Sequence, residues 1–345
     1  VPIEAIAGAQ ILQQWINLPM WQIGLVLMAV MTAVNLLSAR SYGEFEFWFS
    51  SIKVAAIIAF ILVATAFAFG FTSPHGATFA NLTDHGGFAP KGWVPVVAAV
   101  TTVFFSLVGA EITTVAAAES KEPEKAVVRM ATTITWRILL FYVVSLGLIV
   151  CVVAWPMVKP GESPFTLALN VMGFKWGSAV MSFIILTAVL SCLNSAVYVC
   201  SRVLHVMADR GDAPRWLAEV NSQRVPARSI LLGSLVGVIG VVIAIVSPNR
   251  VFAFLISTTG TVILFVYLMT AIAHIRLRRR HPETETKAVR VWLFPWLSYV
   301  TIGAMVAVLV AMALTPGLAS QFYFSLLTLA VVVASYYLFR KPRAD

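Results

Sequence analysis

Long apolar blocks joined by short polar connections organise this chain, and each block approaches the roughly 20 residues a helix needs to cross a bilayer. Nine complete spans are predicted, at about 20–38, 47–70, 94–117, 131–155, 176–204, 229–247, 251–275, 292–313 and 318–339. Ahead of them VPIEAIAGAQILQQWI is apolar but too short to span, and it reads as the last turns of a helix whose start precedes Val1. The pattern predicts an all-α integral membrane protein. No basic n-region or cleavage site marks a signal peptide.

Charge adds an orientation. Of 24 Lys and Arg, nineteen fall near residue 40 and in 121–137, 202–228, 276–290 and 340–343; Lys91, Lys159, Lys175 and Arg250 lie on the opposite side, and Lys53 is inside a span. Loops rich in Lys and Arg stay on the cytoplasmic side, so the first residues are expected outside and the C-terminal RKPRAD inside. The connection FTSPHGATFANLTDHGGFAPKG, rich in Gly, Pro, Asn and Thr, is then an outer surface loop, with His75 and His85 solvated. Its Asn81-Leu82-Thr83 matches a glycosylation sequon, a pattern common by chance. On the inner side SKEPEKAVVR starts a helix, with Ser120 as a cap, Pro123 in the first turn and acids at the positive end of the dipole. RLRRRHPETETK reads as a solvated basic connector. Trp292, Trp296, Tyr299, Tyr336 and Tyr337 sit near span ends, as an interfacial belt does.

Composition narrows the function classes. The 345 residues are 60% hydrophobic and 11% charged, with mean hydropathy +0.89, against about 25% charged in soluble domains. A net charge of +9 would suit nucleic acid, but the basic residues lie between spans as orientation signals, so no nucleic-acid partner is expected. Cys151, Cys192 and Cys200 all lie in apolar spans without metal-ligand spacing, which indicates neither a disulfide framework nor a metal site. No GxSxG, HExxH or P-loop pattern occurs, so an enzyme is the weaker reading.

The stretch GWVPVVAAVTTVFFSLVGAEITTVAAAES (92–120) carries the strongest chemical signal. Glu111 stands near the middle of a span, where a carboxylate is costly and marks a pathway or a partner. Ser106, Thr113 and Thr114 could satisfy backbone groups freed if the helix opens over Ser106–Ala110. Two readings stand: a helix broken at a solute site, or a continuous helix in which Gly109 and Ala110 allow close packing while Glu111 bonds a neighbour. Phe104 and Phe105 precede the presumed break, as a lid over solute or as packing residues. Glu4 is a second candidate membrane carboxylate.

Other polar residues face the same choice. Lys53, about two turns into its span, either snorkels to the interface or places an ammonium inside the bundle as a proton carrier. Ser191, Asn194, Ser195, Tyr198, Ser201 and Arg202 recur at steps of three and four, forming one helix face that lines a cavity or joins helices. Ser257-Thr258-Thr259-Gly260 interrupts the apolar run from Val251, lining the same cavity or permitting close packing.

Three extended blocks, SARSYGEFEFWFSSIKVAAIIAF, FFSLVGAEITTVAAAESKEPEKAVVR and VLSCLNSAVYVCSRVLHVMADRGDAP, together with FAFLISTTGTVILFVYLMTAIAHIRLRRR and VWLFPWL, resemble bacterial amino acid permeases of the amino acid-polyamine-organocation superfamily, most of all its GABA-carrying branch. The resemblance covers essentially the whole chain and implies a leucine-transporter-type inverted-repeat fold in a single transport domain. Residues 1–16 would end family helix 3, 20–70 form helices 4 and 5, 94–275 helices 6–10 and 292–339 helices 11 and 12. The first family helix, whose unwound amides hold the substrate carboxylate, would precede this chain, so the chain alone is expected not to transport.

Residue by residue, the resemblance implies that Phe105 covers substrate, that Ser106 and Gly109 belong to the unwound stretch, and that Glu111 serves substrate or proton coupling. Lys53 matches a lysine that takes the place of the sodium ion in proton-coupled relatives, and Ser191, Asn194 and Tyr198 would adjoin it. The implied activity is proton-coupled import of an amino acid, GABA or a similar neutral one, by alternating access in the bacterial inner membrane. No cofactor is implied, the proton gradient being the driving force. An amino acid sensor, a transport-incompetent fragment, and an aromatic or cationic substrate are the alternatives.

Overall fold

A computed structural model describes residues 1–37, 39–72, 79–87, 89–109, 122–159, 162–221, 225–280 and 293–339. Every regular element among the described residues is helical. An apolar chain in lipid has no water to satisfy its amides, and the helix satisfies them within each segment.

The chain packs as two compact units, one of residues 1–87, 145–253 and 332–345, the other of 88–144 and 254–331. The first holds α1 (Pro2–Leu12), α2 (Met20–Leu37) and α3 (Ala39–Ala68). The second begins with α4 (Val94–Ser106) and α5 (Pro123–Ile138), which runs into a π-helical segment Leu139–Val144. The first unit resumes with α6 (Ser145–Val152), α7 (Pro164–Val171), α8 (Lys175–Asp209) and α9 (Ala227–Ile243). Helices α10 (Pro248–Arg280), α11 (Trp296–Leu314) and α12 (Pro316–Phe339) complete the chain, mainly in the second unit.

Within the first unit α8 is the central post, touching α1, α2, α3, α7 and α9. A core of Phe60, Ala64 and Ala68 from α3, Leu148, Ile149 and Val152 from α6, Ala168 and Leu169 from α7 and Met181 from α8 locks one end. Large apolar residues such as Leu62, Phe183 and Val236 are exposed, as a lipid-facing surface requires. The loop residues Asn81 and His85 are tied to the end of α6 and the turn after it: Asn81 Nδ2 donates to the Cys151 carbonyl at 2.8 Å, and Trp155 Nε1 donates to the His85 carbonyl at 3.0 Å.

Seven described helices are long and apolar enough to cross a membrane, against nine predicted spans. The two shorter ones are α4, with 13 residues, and α9, with 17. Helix α9 reaches about 25 Å at 1.5 Å per residue before the turn that follows Ile243. The predicted 131–155 span is built from α5, the π segment and α6 instead of one regular helix. Helix α5 starts at Pro123 after Glu122, while Ser120 lies outside the described residues. Residues 276–280 of the predicted basic connector extend α10, and Arg278 stacks over the Phe294 ring at 4.1 Å.

The Ser257–Gly260 patch does not interrupt its helix; α10 runs through it. A Cβ built on Gly260 would lie 2.0 Å from the Thr101 carbonyl oxygen of α4, so the glycine marks a backbone-to-backbone contact inside the second unit. Around it Thr261 donates to the Ser257 carbonyl at 2.7 Å, and Ser325 of α12 donates to the Thr258 carbonyl at 3.2 Å.

Candidate functional site

The strongest polar constellation belongs to the first unit, where α3 meets α8. Glu46 and Lys53 are seven residues apart, two helical turns, and therefore share one face of α3. Opposite them Ser191 and Ser195, one turn apart, share a face of α8. Lys53 Nζ donates to Ser191 Oγ at 2.8 Å, and Ser191 Oγ donates to Glu46 Oε2 at 2.6 Å. Ser195 Oγ donates to the same Glu46 oxygen at 3.3 Å, and Ser50 Oγ reaches Glu46 Oε1 at 3.3 Å. Lys53 Nζ and Glu46 Oε1 form an ion pair at 3.7 Å, both side chains partly buried.

Two physical consequences follow. The ammonium ends against α8, inside the helix packing, where one serine hydroxyl accepts from the cation and donates to the anion. The pair is neutral as drawn, the condition under which ionisable groups persist at membrane depth. Lys53 and Ser191 were both singled out in the sequence and the structure brings them together. Glu46 was passed over, since a carboxylate among the aromatics of EFEFWF at a span edge raises no alarm alone. The signal that could have found it is the seven-residue spacing to Lys53.

One turn along α8, Asn194 Oδ1 accepts from Asn35 Nδ2 of α2 at 2.8 Å, and the same Asn35 nitrogen donates to the Met31 carbonyl at 2.9 Å. Asn194 thus joins helices, and Asn35 is a second polar residue the sequence reading missed. Replacing both with alanine in a double-mutant cycle is expected to reveal a coupling of about 0.6 kcal/mol, typical of hydrogen bonds between membrane helices. Unfolding free energies measured in mixed micelles check it, and strictly additive losses would contradict the contact. Further down α8 the ring of Tyr198 is covered by the Arg202 guanidinium at 3.8 Å.

The second unit holds the other predicted residues. Helix α4 ends at Ser106, and Leu107, Val108 and Gly109 continue as a turn in which Leu107 N donates to the Val103 and Phe104 carbonyls and Val108 N to that of Phe105. Gly109 has φ +105°, a left-handed conformation that favours glycine, and an added Cβ would meet nothing within 4 Å among the described residues. The backbone conformation asks for glycine there. The Ser106 carbonyl, left over by the helix end, accepts from Tyr142 Oη in the π segment at 3.0 Å. Phe104 lies 6.0 Å from the Tyr267 ring and Phe105 is half-buried. Glu111, Thr113 and Thr114 lie outside the described residues.

A separate cleft of about 500 Å³ opens in the first unit between the end of α1, the start of α7 and the first turns of α8. Gln14, Trp15, Glu162, Thr166, Asn170 and Ser182 are among its lining residues, none of them foreseen as a site. Ser182 and Ser191 are nine residues apart, half a turn out of phase, so this cleft and the Lys53 cluster lie on opposite faces of α8.

Comparison with known proteins agrees with this architecture. The amino acid permease family model matches residues 1–344. A gamma-aminobutyric acid permease of Bacillus subtilis (strain 168) is 40% identical over 351 residues, covering 100% of this chain and 74% of that protein. A gamma-aminobutyric acid permease of Escherichia coli (strain K12) is 38% identical, covering 92% of this chain and 69% of that protein. The aromatic amino acid transport protein AroP of Escherichia coli (strain K12) is 33% identical, covering 99% of this chain and 75% of that protein. These matched proteins are permeases and transporters, not enzymes. With its helices of membrane length and a match that runs almost from end to end, the chain belongs to the amino acid permease family, as a multi-pass membrane protein of amino acid transport.

Proposed function

We propose that this protein imports an amino acid by alternating access, driven by protons, with GABA or a similar neutral amino acid as substrate. The observation that carries the coupling is the Lys53–Ser191–Glu46 cluster: an ammonium at membrane depth, hydrogen-bonded at 2.8 Å to a helix that packs against its own. A proton gained or lost at Lys53 changes the charge between α3 and α8, and a ligand that interacts differently with two states biases their equilibrium. The substrate preference rests on the relatives named gamma-aminobutyric acid permease; AroP is the counter-example that keeps an aromatic substrate in the test.

Substrate contacts are assigned to Phe105, Ser106, Gly109 and Glu111 within the second unit; within the first unit the candidates are Ser191, Asn194 and Tyr198 of α8. The turn after Ser106 supports this assignment, because a helix end leaves carbonyls that can face an ammonium. The reading places the protein in the bacterial inner membrane with its C-terminus cytoplasmic, from the distribution of Lys and Arg.

Proteoliposomes of the whole protein, any helices that precede Val1 included, test it under an imposed pH gradient. With one proton per solute, one pH unit is worth about 1.4 kcal/mol, so steady-state accumulation of radiolabelled GABA should reach about tenfold and vanish with a protonophore. Accumulation of phenylalanine but not GABA would move the substrate class. Saturable binding without accumulation would replace transport by sensing.

A further inference from the structure

Glu46 has no assigned role, and its geometry is the most constrained of any carboxylate among the described residues. Three serine hydroxyls reach its side chain, Ser191 at 2.6 Å, Ser195 at 3.3 Å and Ser50 at 3.3 Å, and the Lys53 ammonium faces it at 3.7 Å. Two of those serines belong to α8 and the other two groups to α3, so the carboxylate ties one helix face to the other. Its position, two turns from Lys53, makes it the anion that offsets the charge at Lys53.

We infer that Glu46 is a positioning residue for the coupling step: its carboxylate holds the Lys53 ammonium against α8, and the α3–α8 contact loosens when Lys53 gives its proton to water. This rests on the proton-coupled reading proposed above. The step balances simply. The ammonium becomes an amine, a proton passes to water, and the pair goes from neutral to one negative charge. That uncompensated carboxylate draws in water and favours separation of the two serine-lined faces.

Among the described residues, two further titratable groups lie near this cluster. From α8 the Cys192 thiol, and from α1 the Glu4 carboxyl, stand within electrostatic reach of this region. Helix α2, which packs on both α3 and α8, contains no titratable residue. The Glu46 carboxylate is thus the anion paired with Lys53, and its removal should be felt as a change in proton coupling more than in solute affinity.

The test compares Glu46→Gln and Glu46→Asp with the unmodified protein in proteoliposomes, reading three quantities: pH-driven GABA accumulation, its pH profile, and equilibrium GABA binding. Gln keeps an acceptor for Ser191 but no charge. It should reduce accumulation from about tenfold toward unity and displace the pH profile, because the anion that faces the ammonium at 3.7 Å is gone. Its GABA affinity should change by less than about threefold. Asp keeps the charge on a shorter arm and should retain accumulation; where Gln does not fold, Asp against Glu46→Ala carries the comparison.

A Glu46→Gln protein with normal accumulation and an unmoved profile overturns this inference alone. Equal loss of accumulation and affinity in Gln and Asp overturns it too, by making the role structural. No pH-driven accumulation in the unmodified protein overturns both this inference and the coupling reading beneath it.

Discussion

Methionine in place of Lys53 is expected to abolish gradient-driven accumulation while leaving solute exchange. Met preserves most of the length and apolar stem of lysine but removes the ammonium, so Ser191 loses the donor it meets at 2.8 Å and Glu46 loses its counter-ion at 3.7 Å. If Lys53 carries the coupled proton, a gradient of one pH unit can no longer do work on the solute, and the inside-to-outside ratio should drop from about ten to about one. Counterflow, which needs no net driving force, should persist. Both side chains keep some exposure, so the unpaired Glu46 is only partly penalised and the variant should still fold. Adding Glu46→Gln to Lys53→Met removes the leftover charge and should recover stability without recovering accumulation. Normal accumulation by Lys53→Met would end the coupling role of this residue.

The second large effect is structural and independent of transport. Gly260→Ala puts a methyl group where the Thr101 carbonyl oxygen stands 2.0 Å from the Cβ position, with the carbonyl carbon at 2.8 Å. The obstacle is backbone, with no flexible end to swing aside, and Thr101 itself is buried at 1% exposure. Relief therefore means moving α4 against α10 within the second unit. Overpacking of this sort costs about 1–3 kcal/mol and occasionally more. Gly303→Ala is the matched control, since its added Cβ meets nothing within 4 Å among the described residues, and alanine in a helix interior is favoured over glycine by roughly 0.5–1 kcal/mol. Thermal denaturation in detergent, followed by size-exclusion chromatography, should show Gly260→Ala losing folded protein and Gly303→Ala holding it. Equal behaviour of the two would mean the close approach is absent.

Much of this architecture was legible in the residues. Spans such as 20–38 and 318–339 correspond to α2 and α12 within two or three residues, because apolar transfer energy accumulates along a window and needs no partner. Where the expected span and the helix differ, the cause is local backbone detail that hydropathy does not see. The 94–117 block stays apolar past Ser106 although the helix ends there, and 131–155 stays apolar across a π segment. Ser257–Gly260 looked like an interruption for the opposite reason: small polar residues lower hydropathy, yet the helix runs through them, and the neighbouring Thr261 hydroxyl bonds back to the Ser257 carbonyl.

By itself, then, the sequence determined that this is a many-helix membrane protein, where most helices lie, and that Lys53, Ser191 and Asn194 are polar groups needing partners in lipid. Those are properties of composition within a single segment. Which partners they take was decided only by tertiary structure: Lys53 on Ser191 and Glu46, Asn194 on Asn35, Gly260 on Thr101. The physical reason is that a contact between two helices depends on the rotation and register of both. Hydropathy is nearly blind to either, whereas one hydrogen-bonded pairing and one backbone contact fix them.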